Sequence, residues 1–91
     1  MRPEFWKDRR VFVTGHTGFK GAWLVALLNR LGAHVTGYAL EPPTKPSLFE
    51  AARLHEGMVD LRADVRDGPA LEEAMRRAEA DIVIQIGRAH V

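Results

Sequence analysis

Three glycines at intervals of three, Gly15, Gly18 and Gly21, follow a short apolar run, Val11-Phe-Val-Thr14, and lead straight into a helix-patterned segment. Glycines so placed let the backbone turn tightly and approach a ligand with no Cβ in the way. A helix that starts at the turn adds unpaired N–H groups and the positive end of its dipole. Strand, glycine turn and helix in that order form a cradle for the pyrophosphate of a dinucleotide. The turn is not a nucleoside-triphosphate loop, because no Gly-Lys-[Ser/Thr] follows it. The backbone N–H groups of Phe19 and Lys20 are the expected pyrophosphate donors. His16 and Thr17 stand where a side chain could reach phosphate or a bridging water; a surface turn residue is the other reading of His16. The Lys20 ammonium shields the site entrance or is simply solvated.

Further candidates lie downstream. Glu41 comes 20 residues after Gly21, past a second strand, where an acid typically binds the adenosine ribose hydroxyls. Ala39 or Leu40 holds the strand end itself. Tyr38 packs beside the adenine–ribose region or in the core. No arginine occupies that strand end to receive a 2′-phosphate, and Lys45 is the nearest cation, so NAD is expected rather than NADP. The four histidines, at positions 16, 34, 55 and 90, show no metal-ligand spacing, so no metal site is expected.

The elements that must position these residues alternate. A strand is expected over 10–14 and a helix over 19–31, with Trp23, Leu24, Leu27, Leu28 and Leu31 as its core stripe. A second strand covers 34–40, where Gly37 marks close packing against a neighbour. Glu41-Pro-Pro-Thr-Lys-Pro46 is a stiff loop, and Ser47-Leu-Phe-Glu50 is a capping box opening a short helix toward Leu54. A third strand is placed over 58–63. Asp67 caps the next helix, with Pro69 in its first turn and Leu71, Ala74, Met75 and Ala78 as its buried stripe. Glu72 and Glu73 face Arg76 and Arg77 on a solvated side. Residues 81–86 begin a fourth strand, apolar enough to be buried on both faces of a parallel sheet. Right-handed crossovers then give an α/β Rossmann-like parallel sheet of order 3-2-1-4, the N-terminal half of a doubly wound fold, truncated.

Composition sets outer limits. Ninety-one residues with 46% apolar and 27% charged content read as globular. So small a chain buries only about 60–65% of its unfolded surface and is marginally stable. A net charge of +1 predicts no pull toward nucleic acid or an anionic membrane, and no segment approaches a membrane span. The charged N-terminus is unlike a secretory signal, and the absence of cysteine fits a reducing cytoplasm.

Thr14-Gly-His-Thr-Gly-Phe-Lys-Gly21 has the T-G-x-x-G-[FY]-x-G form of the extended short-chain dehydrogenase/reductases, a group of sugar-nucleotide epimerases and dehydratases. Within that group the chain resembles the CDP-glucose 4,6-dehydratase family at Phe5-Trp6, at Gly15 to Gly21, and along Gly37 to Glu50, over about residues 4–85. The resemblance implies NAD-dependent loss of water from the sugar nucleotide CDP-glucose. A hydride leaves sugar C4 for NAD, water is lost across C5 and C6, and the hydride returns to C6. Ala63-Asp-Val-Arg-Asp67 is similar to the family's G-D-[IV]-R-D segment. This implies that Asp64 accepts from the adenine amino group with Val65 beside the ring; plain loop capping is the other reading.

The group's catalytic Tyr-x-x-x-Lys pair is absent. Tyr38 is the sole tyrosine and Pro42 stands four residues on, so no catalytic residue is expected in the chain. The whole enzyme is expected to be a homo-oligomer. Residues 1–85 are expected to be the N-terminal part of the NAD-binding domain. Residues 86–91, where an apolar strand runs into arginine and histidine, are expected to be a non-native tail resembling a translated sequencing adapter. Another extended short-chain epimerase or reductase, or a stand-alone nucleotide-binding module, are the competing readings.

Overall fold

The computed structural model describes residues 3–40 and 52–85. Glu41, the 41–46 loop, the Ser47–Glu50 capping box and the 86–91 tail lie outside them. Helix α1 (Pro3–Trp6) leads into β1 (Arg10–Thr14), followed by α2 (Phe19–Arg30), β2 (His34–Ala39) and a 3-10 turn at Leu54–Gly57. Then come β3 (Val59–Arg62), α3 (Gly68–Ala78) and β4 (Ile82–Gln85). All pairings are parallel and the strand order is 3-2-1-4, as the alternation of elements predicts.

The core lies between α2 and one face of the sheet. Val11 and Val13 of β1 and Val35 of β2 meet Val25 and Leu28 of α2, with Ala33 closing the end. Trp6 of α1, together with Leu54, Met58, Ile82 and Ile84, packs around this cluster. On the opposite face Phe12 and Tyr38 stack at 5.9 Å between ring centroids.

Two sequence expectations fail on burial. Trp23 and Leu27 are not core; they are 59% and 41% exposed. The helix is apolar nearly all round, so its periodicity alone does not select an inward face. Backbone proximity selects it instead: α2 rests on the turn at Gly15 and His16 through Gly21, and Ala22, Val25 and Leu28 are the helix residues that are fully buried.

The second failure concerns β4 and α3. Val83 is 43% exposed and no residue of α3 is fully buried. The helix stands off the sheet, leaving a cavity of about 560 Å³ lined by Thr36, Val59, Leu61, Ala70, Glu73 and Ala74 among others. Val83 and Gln85 are the exposed positions of β4, while Ile82 and Ile84 are half-buried. The local signals of α3 hold: Asp67 accepts from Ala70 N–H at 3.2 Å, and Glu79 ends the helix in the left-handed region at φ +49°. Glu73 pairs with both Arg76 and Arg77, and Glu73 and Arg77 border the cavity rather than the solvated side expected of them. The start of β4 is pinned to β1 because Asp81 N–H donates to Arg10 O and Arg10 N–H donates to the Asp81 carboxylate.

Candidate functional site

The site forms at the C-terminal end of β1, where the turn 15–18 connects to α2. Gly15 sits at φ +81°, a conformation that strains any L side chain. Its N–H donates to Tyr38 O at 3.0 Å, extending the β1–β2 ladder by one bond before the chain turns away. Gly21 allows the closest approach: a Cβ there would lie 2.1 Å from Gly15 O and 2.7 Å from His16 Cα. The third glycine therefore lets the helix rest directly on the turn.

Helix α2 begins with its amides open. Gly18, at the N-cap, supplies no side-chain cap, and the first turn holds no acidic residue. Ala22 N–H already donates to Gly18 O, which leaves the N–H groups of Phe19, Lys20 and Gly21 without a partner inside the helix. Backbone donors, a dipole end and a surface free of Cβ atoms together fit an anionic diphosphate. The Lys20 side chain is exposed beside them.

The side chains of His16 and Thr17 point inward. Thr17 is buried and donates its hydroxyl to Leu40 O at 2.9 Å, tying the turn to the end of β2. His16 is fully buried, so the surface reading of it fails. Its ring fills the space that Gly37 leaves open: a Cβ on Gly37 would lie 2.4 Å from His16 Cγ. This is the close packing that the glycine in the strand predicts. His16 Nε2 meets Asp60 Oδ1 at 2.6 Å, and Arg62 grips the same carboxylate at 2.9 and 3.1 Å.

Burial pulls the His16 imidazole below its usual range, although Asp60 alone would raise it. Burial also pushes Asp60 up, but hydrogen bonds from Arg62 and His16 outweigh that and leave it below the usual carboxylate range. A neutral ring thus gives its Nε2–H to a charged carboxylate.

Asp60 and Arg62 were not singled out by sequence reasoning. The available signal was period two: Asp60 and Arg62 alternate with Val59 and Leu61, which puts both charges on one face of the strand. Gly37 and Asp60 are register partners, so that face is the one carrying the His16 ring.

Asp64 follows the end of β3 by two residues. Its carboxylate accepts from Arg66 N–H at 2.9 Å and from the Arg66 guanidinium at 2.6–3.0 Å, which pulls the group down to about 2. Val65 beside it is exposed. The structure thus gathers Gly15 to Gly21 into one turn and leaves Asp64 and Val65 on the neighbouring loop after β3.

Residues 11–91 match the NAD dependent epimerase/dehydratase family. The chain belongs to that family. CDP-glucose 4,6-dehydratase of Salmonella typhimurium is 49% identical over 82 residues, which are 90% of this chain and 23% of the relative. The chain thus spans about a quarter of the length of the curated relative it matches. Among solved structures, the Bordetella bronchiseptica enzyme WbmG in complex with NAD and UDP aligns with a TM-score of 0.73 at 18% identity, covering 92% of this chain and 26% of that one. A dTDP-glucose 4,6-dehydratase from Bacillus anthracis in complex with NAD aligns at 0.68 and 14% identity, covering 89% and 27%. These two likenesses establish the shared fold. NAD is the cofactor of the epimerase/dehydratase family. No helix among the described residues is long and apolar enough to cross a membrane.

Proposed function

We propose that this chain is the cofactor-binding N-terminal portion, residues 1–85, of a CDP-glucose 4,6-dehydratase, and that residues 15–21 hold the pyrophosphate of NAD. The observation that carries the cradle is Gly21, whose missing side chain lets α2 rest on the turn with its first amides open. The N–H groups of Phe19, Lys20 and Gly21 donate to the phosphates, while Gly15 and Gly18 keep the approach clear. His16 and Thr17, whose side chains are committed to Asp60 and Leu40 O, contribute through their backbone. Asp64 and Val65 meet the adenine edge. There the Arg66 guanidinium must share the carboxylate or swing aside, which its exposed position allows. Glu41 is assigned to the ribose hydroxyls.

NAD supplies a hydride acceptor and donor to the reacting sugar. The chain's own part is to bind and orient that cofactor. The 49% identity to the Salmonella enzyme supports CDP-glucose as the substrate of the whole protein. The acid, the base and the sugar-nucleotide pocket are assigned to sequence beyond the described residues. The whole protein acts as a cytoplasmic homo-oligomer with no nucleic-acid or membrane partner.

Calorimetric titration of the 91-residue chain with NAD and with NADP tests the cofactor reading. At most weak NAD binding, with a preference over NADP, and no turnover of CDP-glucose by this chain are the expected results. Turnover by the 91-residue chain would refute the claim that the catalytic groups lie elsewhere. Assaying the complete gene product on CDP-glucose, GDP-mannose and dTDP-glucose decides the substrate.

A further inference from the structure

We infer that Asp60 is a positioning residue for the dinucleotide turn, acting on it through the buried ring of His16; the inference rests on reading residues 15–21 as a cofactor cradle. His16 immediately follows Gly15, yet its side chain leaves the turn and enters the sheet face. Gly37 sits against the ring on one side, where a Cβ would come within 2.4 Å. Asp60, 44 residues away in sequence, takes its Nε2–H at 2.6 Å. Arg62 holds the Asp60 carboxylate by two further bonds, so the acceptor is itself fixed.

An apolar plug would fill this space at lower desolvation cost. What a polar chain adds is direction. Apolar contacts are satisfied over a range of ring positions, whereas a charge-assisted hydrogen bond defines one. Because the ring hangs from the backbone at position 16, fixing it fixes the path from Gly15, at φ +81°, to the helix start at Phe19. Donors held in place before the ligand arrives bind it more tightly than donors that must be ordered on arrival. Asp60 would therefore govern cofactor affinity without touching the cofactor.

Asp60→Ala, Asp60→Asn and His16→Gln in the 91-residue chain test this, with two readouts. One is the amide spectrum of residues 15–21 together with the ring nitrogens of His16. The other is NAD affinity by calorimetry. Asp60→Ala is expected to shift the turn amides and weaken NAD about tenfold, less than the full worth of a charge-assisted hydrogen bond because the lost bond is not to the ligand itself. Asp60→Asn keeps an oxygen that accepts from Nε2–H and should restore most of that affinity. His16→Gln, which can still donate to Asp60, should do likewise.

Turn amides and affinity left at wild-type values by Asp60→Ala would overturn the proposal. If Asp60→Ala does not fold, the ring spectrum of Asp60→Asn decides: a His16 Nε2–H resonance unmoved by loss of the acceptor's charge would overturn it equally. A wild-type chain that does not bind NAD would refute the cradle reading alone, since the amide shifts still report the coupling.

Discussion

Gly21→Ala sets two physical rules against each other. In an ordinary helix alanine is better than glycine by up to about 1 kcal/mol, so propensity predicts a more stable protein. Here the added Cβ would lie 2.1 Å from Gly15 O, whereas ordinary contact begins at 3.4 Å. The other near atoms, His16 Cα and Gly15 C, are backbone too, so no flexible side chain can give way. Helix α2 must back off the turn at Gly15 and His16, loosening Val25 and Leu28. Overpacking against rigid surroundings costs about 1–3 kcal/mol. The upper end applies, and the net loss after the propensity gain is about 2 kcal/mol. For a domain of this size that is a fall of roughly 10 °C in Tm.

Gly68→Ala is the control, because apart from its chain neighbours nothing lies within 4 Å of the Cβ it adds at the start of α3, and the next residue, Pro69, is the sole restriction on it. The gain from removing a glycine and the cost of a Cβ before proline oppose each other, so that change should stay within about 1 kcal/mol of wild type. Urea unfolding followed by helical circular dichroism gives both values. A Gly21→Ala chain as stable as wild type, or more so, would refute the close approach on which the cradle depends.

Two further outcomes are expected. Stability should fall on acidification. The His16 pKa lies below its ordinary 6.5 in the folded chain, so its contribution is complete above 6.5 and is lost as pH drops through the folded value. Asp60, lowered from 3.8, adds a second loss at still lower pH. Urea midpoints measured across this range should decline, and the decline that begins below pH 6.5 should be shallower in His16→Gln; a slope unchanged by that substitution contradicts the assignment. Leu28→Ala, at a fully buried position facing the sheet, should cost about 2–5 kcal/mol and leave so small a chain largely unfolded. Native-like circular dichroism in that variant would show that the α2–sheet core does not carry the fold.

Much of the fold was legible because it is written locally. Val11 to Thr14, Gly15, Gly18 and Gly21 announce strand, turn and helix by residue type alone. Asp67 and Pro69 likewise mark the start of α3. The burial of each helix was less legible. Trp23 and Leu27 share helical spacing with Leu28, and only the close backbone contact at Gly21 decides which of them faces the sheet. β4 reads as a fully buried strand because its composition is apolar. How much of it is covered depends on where α3 sits, which pattern cannot give.

The site divides the same way. Glycine positions are dictated by backbone geometry and so appear in the sequence. The His16–Asp60–Arg62 chain joins residues 44 positions apart and needs the parallel register of β2 and β3 before it can be seen. Gly37 was the local trace of it, a strand glycine whose missing side chain the histidine ring replaces.

The account stands most directly on where NAD binds. Titrating NAD into the isotopically labelled 91-residue chain and following its amide resonances places the ligand on the sequence. The largest shifts are expected at Gly18, Phe19, Lys20 and Gly21, with smaller ones at Asp64 and Val65. Shifts confined to the cavity between α3 and the sheet, at Val59, Leu61, Ala70 and Ala74, or no saturable shift in the turn, would contradict it.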